Sequence, residues 1–78
     1  NMKQPLVSYK LCIPNQLNEF TITDNVVRAR NALTASKKFF RTHKTLTNIY
    51  VLDTNTNQIY QYESKFFFTK KKEHLLKR

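Results

Sequence analysis

This chain contains no glycine. Average usage near 7% would put about five in a chain of this length. Gly-rich phosphate loops need glycine so that the backbone can approach phosphate, so the nucleotide-binding folds built on them are excluded. The RNA-recognition pattern also carries glycines and is missing. The 78 residues suit one domain, and a domain of that size buries only about 60% of the surface its unfolded form exposes. One cysteine, Cys12, excludes an intramolecular disulfide and a cysteine-built zinc site.

Local patterns sketch the elements. Val7, Tyr9, Leu11 and Ile13 alternate with Ser8, Lys10 and Cys12, which predicts a half-buried strand ending at Pro14. Asn15 to Glu19 reads as a loop, and Phe20 to Ile22 as a short extended piece. Asp24 is placed to cap a helix, because its carboxylate can accept from the first turn's free N–H groups. From Asn25 to about Lys44 there is neither Pro nor Gly. At 100° per residue, Val26, Ala29, Ala32, Leu33, Ser36, Phe39, Phe40 and His43 share an arc of about 140°. Arg30, Thr34, Lys37, Arg41 and Lys44 share the neighbouring arc of about 80°. One long helix with an apolar face and a cationic face follows.

Asn48 to Leu52 and Gln58 to Glu63 flank the polar cluster Asp53-Thr54-Asn55-Thr56-Asn57, the pattern of a β-hairpin. A turn centred on Asn55-Thr56 pairs Val51 with Tyr60 and Ile49 with Tyr62 on the face under the helix. Leu33 and Phe40 are expected above Val51 and Tyr60. Tyr50, Leu52, Ile59 and Gln61 then fall on the opposite face, with Tyr50 exposed. Phe66-Phe67-Phe68 reads as a further strand or a bend that plugs the core. The resulting fold class is α+β. A three- to four-stranded antiparallel sheet carries one long helix on a face, in β-α-β-β order. Residues 1–69 form the compact domain, and residues 70–78 form a basic C-terminal tail or short helix.

The chemistry-bearing residues give no catalytic pattern. General acid–base catalysis needs titratable groups held close together in a cleft. Asp24 reads as a cap, Asp53 as a turn residue, and Glu63 and Glu73 sit among lysines. His43 falls near the helix C-terminus, where a capping side chain is expected. No metal-ligand spacing is visible around His43 and His74. Cys12 lies mid-strand and reads as a small core hydrophobe. No enzyme, cofactor or metal is expected.

Charge is the strongest signal. Lys plus Arg is 14 against 5 for Asp plus Glu, giving +9. Six of the 14 lie between Arg28 and Lys44, and six between Lys65 and Arg78. Acids barely intersperse, so the cations do not form a salt-bridge lattice. Such a field attracts polyanions. The expected function is non-enzymatic nucleic-acid binding, DNA or RNA, as a small regulatory or accessory factor. Arg30, Lys37, Arg41, Lys44, Lys70, Lys71 and Lys72 would contact phosphate, with Tyr50 stacking on a base or anchoring a partner. The alternative is a linker, subunit or inhibitor that docks on an acidic protein. Self-association into a homodimer is a further way to cover the Tyr50 face.

Tyr9-Lys10-Leu11-Cys12-Ile13-Pro14-Asn15-Gln16, then a helix, then Ile49-Tyr50-Val51, resembles the small phycobilisome linker domain. That family combines a short basic chain, a three-stranded sheet and a helix, and binds acidic pigment proteins. Its Gly-Gly before the second strand is absent here, with Leu46-Thr47 standing near that place. The resemblance implies that a basic domain of this size can act as a protein-binding plug.

The sequence also bears on location. No apolar run approaches the roughly 20 residues of a membrane span, and no signal-peptide pattern opens the chain. A lone thiol without an Asn-x-Ser/Thr sequon fits an intracellular protein, cytoplasmic or organellar, that is not secreted. Asn, Lys and Thr number 8, 10 and 9. Such usage is common in AT-rich genomes, including those of viruses, plasmids and organelles.

Overall fold

Along the chain the elements run β1 (Val7–Pro14), β2 (Phe20–Ala29), α1 (Ala32–Thr42), β3 (Asn48–Asp53), β4 (Gln58–Lys65) and β5 (Phe68–Leu75). The computed structural model describes residues 4–17, 19–65 and 68–75, with side chains as far as Ser64. Four strands form an open antiparallel sheet in the order β2-β1-β3-β4, and the backbone of β5 extends it along β4. One helix packs on a face of this sheet. The α+β class and the antiparallel sheet agree with the sequence reading, but the element order is β-β-α-β-β before β5 rather than β-α-β-β. Residues 70–78, read as a tail or short helix, are described only to Leu75, where the backbone pairs with β4.

The helix is shorter than its periodicity suggested. Asn25 to Ala29, expected as its first turns, belong instead to β2. There Val27 pairs with Tyr9 and Ala29 with Val7. Val26 and Val27 are β-branched and favour a pleated surface over a helical turn. The N-cap is Asn31, not Asp24. Asn31 is extended at φ −152° and ψ 167°, and its Oδ1 accepts from Thr34 N–H at 2.8 Å. Asp24 lies exposed in an irregular part of β2. Between the pairs Lys10–Val26 and Cys12–Ile22, β2 holds more residues than β1. Thr23 bridges the gap by donating its hydroxyl to the Leu11 carbonyl at 2.8 Å. Such a bulge bends the strand and increases its twist.

Two clusters form the core. Under the helix lie Tyr9, Leu11, Ala29, Ile49, Val51 and Tyr62, and α1 contributes Ala32, Ala35 and Phe39. Small side chains at Ala32, Ala35 and Ser36 let the helix backbone approach the sheet, and the Ser36 hydroxyl donates to the Leu33 carbonyl at 2.7 Å. The buried stripe is thus turned by about one residue from the expected arc. Leu33 is 39% exposed rather than facing the sheet, and Phe40 is only half-buried at the edge of the cluster. The hairpin register is as expected, with Val51 opposite Tyr60 and Ile49 opposite Tyr62.

The opposite sheet face holds Cys12, Leu52 and Ile59, with Phe20 and Tyr50 packed against them. Leu52 and Ile59, placed on this face by the hairpin register, are buried. Tyr50 is half-buried, and its ring lies 5.3 Å from that of Phe20 at 52°. Tyr50 pairs with Cys12 and Phe20 with Pro14, so the two rings meet from strands on either side of β1.

Without glycine, the β3–β4 turn uses side chains. Asp53 Oδ1 accepts from the N–H of Asn55 at 2.8 Å and of Thr56 at 3.2 Å. Asn57 takes the left-handed conformation at φ 61°, which Asn tolerates better than most non-glycine residues. Thr54 ties the turn to β1 by donating both its N–H and its hydroxyl to the Ser8 carbonyl.

In urea denaturation, Phe39→Ala should cost on the order of 3–5 kcal/mol. Leu33→Ala should stay within about 0.5 kcal/mol, and Asn31→Ala should cost about 1 kcal/mol through the lost cap. A larger loss at Leu33 than at Phe39 would contradict the observed rotation of the helix.

Candidate nucleic-acid interface

Burial of Ala32, Ala35, Ser36 and Phe39 turns the rest of α1 outward. Lys37 and Arg41 stand one turn apart on the exposed side, as residues four apart on a helix do. No acid lies in the helix's first turn, and Arg41 occupies its last. The N-terminal end therefore keeps its partial positive charge. From Asn25 to Leu52 the sequence has six cations and no carboxylate, so no ion-pair lattice can form within this segment.

The other expected contacts are spread around this helix. Arg30 precedes the N-cap, and its Nε donates to the Gln4 carbonyl at 3.2 Å. It borders a groove of about 670 Å³ with Leu33, Asp53 and Tyr60. Lys44 follows the C-cap His43 and is exposed. Arg30 and Lys44 thus mark opposite ends of a helix about 16 Å long. Lys70, Lys71 and Lys72 fall on β5 opposite Glu63, Tyr62 and Gln61, on the edge of the sheet farthest from β2, and their side chains lie outside the described residues. Tyr50 belongs to the face opposite the helix, so it does not join the helix cations.

One cation outside the expected set, Lys38, lies beside them. Lys38 is exposed on α1, yet its Nζ donates to the Arg28 carbonyl at 2.8 Å. This turns Lys38 toward β2, away from the Lys37–Arg41 row. Its charge is plain from the sequence, but its orientation depends on β2 running beside the helix.

At the C-terminal end of α1, the backbone N–H of His43 donates to the Phe39 carbonyl at 2.8 Å. Its ring meets that of Phe39 edge-on, with centroids 6.2 Å apart. The ring Nδ1 also lies 3.2 Å from the Phe39 carbonyl, so His43 is the half-buried capping side chain the sequence suggested. Next to it lies a groove of about 860 Å³ bordered by Ile13, Pro14, Lys44, Leu46 and Tyr50. Ile13 and Leu46 are 54% and 40% exposed. Cys12 also borders it, but burial pushes the thiol up to about 11, opposed by a hydrogen bond from the Leu52 backbone. Among the described residues, no group of three or more His, Cys, Asp and Glu side chains is placed to hold a metal ion, and no helix is long and apolar enough to cross a membrane.

Comparisons with protein-family models, curated proteins and solved structures found no match to this chain.

The raised Cys12 pKa sets a pH dependence. A thiol harder to ionise in the folded state contributes stability that is complete below its unfolded pKa near 9 and is lost as pH rises through about 11. Wild type should lose stability over that window, and Cys12→Ala should show a smaller loss there. Iodoacetamide at pH 8 should label Cys12 slowly in the folded protein and quickly in urea.

Proposed function

We propose that this protein binds nucleic acid without catalysis, through the exposed side of α1. The phosphate-contacting set is Lys37 and Arg41, with Arg30 and Lys44 at the two ends of the helix and Lys70, Lys71 and Lys72 adding charge from the C-terminal segment. The observation that carries this reading is the row of outward cations on a segment that has no carboxylate. Like charges one turn apart destabilise an isolated helix by roughly 0.2–0.5 kcal/mol per pair. A bound polyanion removes that repulsion, and the positive end of the helix adds to its attraction. Contacts of this kind go to the backbone and carry little sequence preference.

A second reading, docking on an acidic protein, is favoured by one observation. Ile13 and Leu46 expose apolar surface in the groove that Lys44 borders. Apolar surface flanked by cations suits a partner that offers an aliphatic side chain beside carboxylates.

The test is fluorescence anisotropy with labelled single- and double-stranded DNA and RNA across a salt series. If about five phosphates are neutralised, log K against log[salt] should fall with a slope of about −4 to −5 on duplex DNA. Lys37→Glu with Arg41→Glu should weaken binding on every sequence and flatten that slope. Absence of binding to all four ligands at low salt removes the nucleic-acid reading and favours the acidic protein.

A further inference from the structure

We infer that β2 is the pairing edge of a homodimer, joined antiparallel to β2 of a second copy about a two-fold axis through Val26. This inference does not rest on nucleic-acid binding. β2 ends the sheet, with β1 on its inner side. The direction of its peptide groups can be read from two hydrogen bonds. The Arg28 carbonyl accepts from Lys38 Nζ. Opposite it, the Ser8 carbonyl accepts from Thr54, on the β3 side. Ser8 and Arg28 thus turn their peptide groups away from each other, a non-hydrogen-bonded pair. Alternation along the strand turns the N–H and C=O of Val26 outward with those of Arg28. Two copies meeting at Val26 would exchange both bonds of that pair.

The residues around Val26 favour this register. In an antiparallel pair centred on residue 26, residue 24 of one copy lies opposite residue 28 of the other. Asp24 therefore faces Arg28 of the second copy, and the symmetry repeats the contact. Lys38 adds a second cation at that place, because its Nζ already sits on the Arg28 carbonyl. Val26, 47% exposed, would meet its own copy. Opposite charges directly across a ladder stabilise it, and like charges there destabilise it. This isologous contact is self-complementary, as a two-fold interface requires. The bulge at Thr23 to Asn25 limits the ladder to a few residues, so the dimer should dissociate on dilution. A two-fold axis perpendicular to the sheet leaves both copies of α1 on the same face, which doubles the cationic surface there.

Sedimentation equilibrium of the full chain across the micromolar range tests the inference. Wild type should pass from monomer to dimer with concentration. Asp24→Arg and Arg28→Asp should each weaken the dimer at least tenfold, by placing like charges opposite one another. The double variant carrying both changes should recover the dimer, because each copy again meets an opposite charge. Val26→Pro removes an outward N–H that β1 does not use, so it should give a folded monomer by circular dichroism. If that variant fails to fold, the charge exchange still decides. A wild-type monomer at all concentrations, or a dimer indifferent to both charge reversals, overturns the proposal. Anisotropy with nucleic acid reads the Lys37–Arg41 face separately, so the failure of either reading leaves the other measurable.

Discussion

The close packing of α1 on the sheet orders much of what this molecule presents to solvent. Ala32, Ala35 and Ser36 are small enough to bring the helix backbone near the sheet, and Phe39 fills the space beside them. A buried stripe of that kind fixes the helix rotation, because turning it by one position would bring Lys37 and Leu33 toward the sheet. The same rotation sets Lys37 and Arg41 outward. The cationic face is thus the complement of a packing requirement.

The second face of the sheet is organised by the β2 irregularity. Thr23 replaces a ladder bond with its hydroxyl, and Phe20, beyond it on β2, meets Tyr50 beside Cys12, Leu52 and Ile59. The residues there are aromatic and aliphatic with a buried thiol, so this face serves as a second core. It holds Tyr50 half-buried, away from the cations on α1 and at the border of the groove beside Lys44. The cations Lys37 and Arg41 lie on the helix side instead, and Asp24, Val26 and Arg28 lie exposed along β2, the end strand of the sheet.

The glycine-free composition has a visible cost in side-chain hydrogen bonds. Turns that glycine would ordinarily make rely on Asp53, Thr54 and Asn57 in the hairpin, and on Asn15, whose Oδ1 accepts from the N–H of Leu17 and of Glu19. The Asn15 and Asp53 side chains accept from backbone N–H groups and the Thr54 hydroxyl donates to a backbone carbonyl, while Asn57 supplies the left-handed residue. The abundance of Asn and Thr is in part structural for this reason.

The sequence by itself determined the features that rest on short-range patterns. Alternation in Val7 to Ile13 defined β1, and the polar cluster between two β-forming runs placed the hairpin; its register followed only for a turn centred on Asn55-Thr56, and a loop one residue different would have reversed the partners. Net charge and the long stretch free of acids also came from the sequence alone. Only the tertiary structure decided how residues 25 to 31 are used. Their apolar positions fit a helix of period 3.6, but Val27 and Ala29 also fit a strand of period two, and pairing with β1 resolves the two. No glycine or proline marks the boundary at Arg30 and Asn31, so the local signal that ordinarily separates such elements is missing. The rotation of α1, the bulge at Thr23 and the outward turn of the Arg28 carbonyl depend on which strand lies beside which. Those are contacts between segments distant in sequence, and no local window contains them.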